Sequence, residues 1–199
     1  MHLRLSHGAG SAMIRHRLDE MGRAVARAVE LLRAARHLEA AARAVLELLG
    51  QATCSERATY WTVDPELLRL RAIANWSAAG FGPPVRDGDI RRRTASLSHG
   101  NAGHVWHSRK PLWSTSLVLD TALPPSLEAG LRGGVWFAVK TDTSVYGVME
   151  LLGRALEPKT PDNLVIVERL GFRLGHALEE LRHGKLRGRF PWRSPSGNA

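Results

Sequence analysis

The chain has 199 residues, 44% hydrophobic and 24% charged, with 28 basic against 19 acidic side chains and a formal net charge of +9. That length allows one domain with appendages, and the composition is that of a soluble globular protein, which argues against disorder, collagen and coiled-coil monotony. The one cysteine, Cys54, excludes an internal disulfide framework and an all-cysteine zinc site; no apolar run approaches the ~20 residues of a membrane span, and no secretory signal opens the chain, so the expected location is cytoplasmic.

The residues from Ile14 to Gly50 read as helix, one long or two end to end. Ile14, Leu18, Met21, Val25, Ala28, Leu32 and Ala35 recur at heptad-like spacing, followed by Ala42, Leu46 and Leu49; Glu39 breaks the register. The first half, to about Arg36, shows no obvious partner within so short a chain, so pairing with a second copy is expected. Gly50 fits a helix C-cap. Beyond it, Arg57 to Asp64 is β-branched and aromatic, Asp64-Pro65-Glu66 signals a turn, and Leu68, Leu70, Ala72 and Ala74 alternate onto one face. These two segments form a predicted hairpin.

Residues 77–98, with Gly80, Gly82, Pro83, Pro84 and Gly88, read as a long irregular stretch of the kind that carries function. Gly100 to Lys110 reads as a short helix stopped by Pro111, Leu112 to Leu117 as a strand, and Pro124 to Gly133 as another short helix. Gly134 to Thr141 and Val145 to Gly153 are predicted strands. Pro161 opens a last helix to about His183, with Leu164, Val167, Gly171, Leu174, Leu178 and Leu181 on one seam and Ile166, Leu170 and Ala177 on another. The order α, ββ, α, β, α, ββ, α gives an α/β (α+β) sandwich on a mainly antiparallel sheet.

Five of the nine excess positive charges fall in residues 182–199, which contain no acid. This Gly-, Pro- and Ser-containing end reads as a basic disordered tail. No recognition helix or stacking motif accompanies the charge, so nucleic acid is not the expected partner. Arg91-Arg92-Arg93 reads as a solvated loop patch.

Four stretches together resemble a GAF domain: Ser55 to Asp64, Gly103 to Ser116, Gly130 to Val139, and Val145 to Gly153 followed by the long helix. Within them a Gly-x-x-Trp turn at 103–106 precedes a Lys-Pro-Leu-Trp step into a strand at 110–113. The resemblance covers about Leu38 to Glu180. It implies a central antiparallel sheet with the N- and C-terminal helices on one face, often a dimer bundle. Short helices and loops would enclose a small-molecule pocket on the other face. The organisation is then a 1–36 arm and helix with a possible dimerisation role, a GAF-like domain over 37–181, and the 182–199 tail.

The chemistries of that family narrow the reading further. Bilin-binding members need a cysteine near the short helix, where this chain has only His99, His104 and His107. Free-methionine-sulfoxide reductases of this type use several cysteines, and one cysteine cannot form an internal disulfide. The Asn-Lys-Phe-Asp-Glu signature of cyclic-nucleotide binders is absent, and no kinase, cyclase or helix-turn-helix motif follows. The expectation is therefore a sensory module that is not an enzyme. It binds an unknown small molecule and signals through helix packing in a homodimer, read by a separate signalling protein. The alternatives are a dimerisation or docking scaffold with a vestigial pocket, and a Cys54-dependent redox enzyme.

The ligand-binding candidates follow from pocket chemistry, which is mostly aromatic and apolar with a few placed polar groups. Trp61, Trp76, Trp106, Trp113 and Trp136 fall on the segments expected to line the pocket. Asn75 and Glu150 are polar residues inside apolar strands. A buried Glu150 must pair with an arginine or meet a ligand, and pairing is the stronger reading. His104 and His107 lie one turn apart, a spacing compatible with a metal or haem edge, but no cysteine or carboxylate stands at ligand spacing nearby. No metal is assigned and the cofactor is unknown. Cys54 is expected to pack as a small hydrophobe.

Overall fold

The structure, a computed structural model, describes residues 20, 22–81, 93–115, 117, 130–154 and 161–189. Its helices are α1 (22–34), α2 (Leu38–Ala52), α3 (Gly100–Ser108) and α4 (Pro161–Arg189). Its strands are β1 (Arg57–Asp64), β2 (Arg69–Ser77), β3 (Thr94–Ser96), β4 (Leu112–Ser114), β5 (Gly133–Lys140) and β6 (Val145–Gly153). They form one antiparallel sheet in the order β3-β2-β1-β6-β5-β4. The short helix expected over 124–133 falls largely outside the described residues. β3 lies inside the stretch read as irregular; three residues are too few for periodicity to mark a strand.

The N-terminal helical region is two helices, separated at residues 35–37. His37 takes extended backbone as the N-cap of α2, and its carbonyl accepts from Ala41 N at 3.2 Å. The Glu39 that breaks the seam thereby falls in the first turn of α2, where a carboxylate favours the helix dipole. The first helix does have a partner within the chain. Val25, Ala28, Val29 and Leu32 are buried in the core that also holds Leu170, Leu174, Ala177 and Leu178 of α4. Arg33 Nε donates to Glu180 Oε2 at 2.7 Å across the same α1–α4 contact. Ile14, Leu18 and Met21 lie outside the described residues.

Gly50 is not the cap of α2, which runs to Ala52 and closes through Thr53, whose Oγ1 donates to Leu49 O at 2.7 Å. Gly50 instead admits the Trp76 ring, which a Cβ there would strike. Cys54 is exposed rather than packed, with its backbone in the left-handed region at φ 52°. α3 ends before Pro111, because Arg109 turns left-handed at φ 57° and its N–H closes onto Val105 O. α4 continues through Arg189, so residues 182–189 are helix rather than tail.

α2 and α4 cover one face of the sheet. α4 approaches β5 closely because Gly171 and Gly175 face the carbonyls of Ala138 and Lys140, where any Cβ would meet backbone oxygen. The buried residues Val167, Leu170, Leu174, Ala177 and Leu178 then sink into the core beside Phe137, Met149 and Leu151. A second core lies on the other face, where Ala102 and Val105 of α3 pack with Trp61, Leu70, Ala72, Trp136, Ala138, Val148 and Leu152.

A bulge decides which β2 residues reach which core. Tyr60 pairs with Ala74, but Trp61 pairs with Ala72, so Ile73 is the extra residue. Leu70 and Ala72 therefore lie in the second core while Ala74 lies in the helix-side core. The single face expected for Leu68, Leu70, Ala72 and Ala74 is split. Leu68 sits in the turn, 73% exposed.

Candidate functional site

One row of side chains crosses the second face. Asn75 on β2 stands opposite Thr59 on β1, Thr59 opposite Glu150 on β6, and Glu150 opposite Trp136 on β5. Direct antiparallel partners share a face, so these four groups point the same way. Trp61, two residues beyond Thr59, joins them by strand alternation. Glu150 and both tryptophans are fully buried.

Glu150 is the centre of this row. Its Oε2 accepts from Trp136 Nε1 at 3.0 Å, and its Oε1 faces Arg93 Nη2 at 3.4 Å. Arg93 comes from just before β3 at the far edge of the sheet. Its Nη1 donates to Thr59 Oγ1 at 3.3 Å, and its guanidinium lies over the Trp61 ring, 4.6 Å from the centroid. The arginine expected beside Glu150 is thus Arg93, which is a half-buried partner here and not a solvated loop charge. Two donors in this cluster, Trp61 Nε1 and Arg93 Nε, are buried without a hydrogen-bond acceptor among the described residues. Such orphans are rare in folded proteins, and each calls for an explanation.

Of the expected ligand-binding residues, the structure brings Trp61, Asn75, Trp136 and Glu150 together. Trp106 is half-buried on α3 and packs against the same core. Trp76 and Trp113 lie on the helix side, packed against the other core. His104, like His99 and His107, is exposed. Among the described residues no group of three or more histidine, cysteine or acidic side chains is arranged to hold a metal.

Arg57, Thr59 and Arg93 are the members that reading the sequence missed. Alternation from Trp61 places Thr59 and Arg57 on its face, so two of the three were accessible to pattern. Arg93 was not, because its partners are 34 and 57 residues away.

An open groove of about 840 Å³ lies on the helix side at the α1–α2 break. It is lined by His37, Leu38, Glu39, Ala40, Arg43, Thr62, Arg71 and Ile73. It holds neither the buried carboxylate nor the orphaned donors, so the second-face row is the stronger candidate. Among the described residues no helix is long and apolar enough to cross a membrane.

No family model matches the chain, and no curated protein matches it by sequence. Solved structures do match. The GAF domain of an Acinetobacter phosphoenolpyruvate-protein phosphotransferase aligns over 85% of this chain and 98% of its own, with TM-score 0.65 at 12% identity. A GAF sensor protein from Burkholderia vietnamiensis aligns over 83% and 98%, with TM-score 0.64 at 13% identity. The free methionine-R-sulfoxide reductase of Neisseria meningitidis, solved with its substrate, aligns over 92% and 98%, with TM-score 0.62 at 14% identity.

The third comparison corrects one expectation. The expectation that the chain is not an enzyme does not hold as an exclusion, because a reductase matches its fold about as well as the GAF domains do. The fold therefore gives no ground for excluding catalysis.

Proposed function

We propose, from the premise that this chain has the GAF fold, that it is a small-molecule-binding regulatory module with its ligand site on the second face of the sheet. The observation that carries the reading is the Glu150–Arg93–Trp61 cluster, in which two buried donors lack acceptors among the described residues. α3 closes over this face, and a ligand there bears on it. Lys140 links α3 to the opposite layer. Its Nζ donates to Arg109 O, at the end of α3, at 2.7 Å and to Glu168 Oε1 on α4 at 3.0 Å. It also lies 4.6 Å from the centre of the Phe172 ring. A shift of α3 would thus reach α4, and a separate signalling protein would read the displaced helices.

In this reading the module works as a homodimer. Its contact uses the outer surfaces of α1 and α4, because Val25, Ala28, Val29 and Leu32 are occupied within the chain. The test is native mass spectrometry of the protein as purified. The expected result is a dimer with a small adduct released on collisional activation. An apo chain that no small molecule stabilises would overturn the reading and leave a scaffold.

A second reading is a thiol-dependent reductase. It is favoured by the reductase structures among the comparisons and by the exposure of Cys54. Turnover of free methionine-R-sulfoxide with an added thiol, lost in Cys54→Ser, would establish it.

A further inference from the structure

Arg57 opens β1 on the second face and is only 6% exposed. A guanidinium keeps its charge when buried, so it requires an anion to face. Among the described residues it has none. Its Nη1 donates to the neutral Ser77 Oγ at 3.3 Å, its guanidinium lies 5.3 Å from the centre of the Phe81 ring, and its Nε is buried without an acceptor. Burial first, and then the charge of Arg93, hold its pKa below the ordinary arginine value.

Arg93 is close by. It touches Thr59, which follows Arg57 by two residues on the same face, ~7 Å along the strand. Its own Nε lacks an acceptor as well. Glu150 pairs with Arg93 and not with Arg57, so among the described residues this cluster carries one positive charge in excess. The neighbouring Arg154 is already balanced by Glu56, 2.9 Å away.

We infer that this face binds a small monocarboxylate with a planar apolar body, its carboxylate held by Arg57 and Arg93 and its body lying against Trp61 and Phe81. The inference rests on the small-molecule-binding reading above and adds the ligand's charge and shape. One unbalanced charge calls for a monoanion; a phosphate dianion would overshoot and cost more to desolvate. The planar fork of a guanidinium matches a carboxylate in two-point contact. The Trp61 indole N–H supplies a further donor, and the half-buried Phe81 ring offers a flat apolar surface beside it.

The experiment follows the indole Nε1–H signals of the full chain by ¹⁵N NMR, with Trp61 assigned through Trp61→Phe. Benzoate, phenylacetate and indole-3-acetate are titrated against their amides, and inorganic phosphate separately. At least one acid is expected to shift the Trp61 signal saturably, at least tenfold more tightly than its amide or phosphate. Arg57→Gln is expected to weaken that acid tenfold or more while the spectrum stays folded. Should that variant not fold, Arg57→Lys keeps the charge without the fork and is expected to weaken it several-fold. An amide that matches its acid overturns the inference and leaves the binding face standing. Phosphate binding best overturns it in favour of another oxyanion. If no acid or amide moves the Trp61 signal, the inference falls and the mass measurement alone decides the broader reading. Unchanged affinity in both Arg57 variants also overturns it.

Discussion

Replacing Glu150 by leucine tests what the central pair contributes to stability. Its carboxylate is 1% exposed and the Arg93 side chain 11%, with 3.4 Å between the charged atoms. At an effective dielectric of about 20 their attraction is about 5 kcal/mol. Desolvating the two ions costs several kcal/mol each, so the pair nets near zero. Removing one partner is different, because the penalty for the other remains. Glu150→Leu strands Arg93, worth about 3 kcal/mol, and leaves the Trp136 N–H without its 3.0 Å acceptor, about 1 kcal/mol more. The expected loss is about 4 kcal/mol in urea unfolding at pH 7. Arg93→Met should lose about 3 kcal/mol for the mirror reason. The double variant should recover to within about 2 kcal/mol of the starting protein, a coupling of at least that size. A double variant as unstable as the sum of the singles would refute the reasoning, since the two charges would then not be each other's compensation. A Glu150→Leu variant of unchanged stability would refute it more directly.

Gly171→Ala should destabilise by about 1–3 kcal/mol despite the better helix propensity of alanine, because its Cβ meets Ala138 O on β5 and α4 must lift; the exposed control Arg173→Ala should stay within about 0.5 kcal/mol on the same denaturation curve. Lys140→Met should cost about 2–3 kcal/mol through its two bonds to Arg109 O and Glu168. In the ligand-responsive protein it should leave binding intact while hydrogen exchange in α4 no longer responds. Stability should also fall at alkaline pH. Burial pushes the Tyr60 phenol up, and burial with the Glu179 hydrogen bond raises Tyr146. The folded chain therefore keeps protons that the unfolded chain releases above pH ~10, so the contribution is intact below that pH and declines above it. Tyr60→Phe should flatten the alkaline limb of a stability–pH curve.

Much of the architecture was legible because helix and strand periods are local. Val167, Leu170, Gly171, Leu174 and Leu178 of α4, spaced for a helix, do face the sheet and core. The hairpin of β1 and β2, the paired strands β5 and β6, and the GAF-like order were all readable. So was the expectation that a buried Glu150 pairs with an arginine or meets a ligand, with pairing the stronger reading, since a buried carboxylate in an apolar strand must be satisfied. The chain is nonetheless only 12–14% identical to the three solved structures named above, so pattern rather than residue identity carries the likeness.

The rest depended on events that no local period records. The Ile73 bulge reverses the parity of β2, sending Ala74 to the helix side and Asn75 to the second face. Trp76 and Trp113 read like Trp61 and Trp136 in composition, but their strand positions put them in the opposite core. The seam of α1 could not say whether its partner was a second copy or α4, because an apolar stripe is satisfied equally by either. By itself the sequence determined most of the helix and strand segments, and that a buried Glu150 would need a partner. Only the tertiary structure decided that Arg93 meets it and that Arg57, among the described residues, is left without a carboxylate. Strand alternation fixes a side chain's direction relative to its own neighbours, while its partner is set by which distant strand packs alongside.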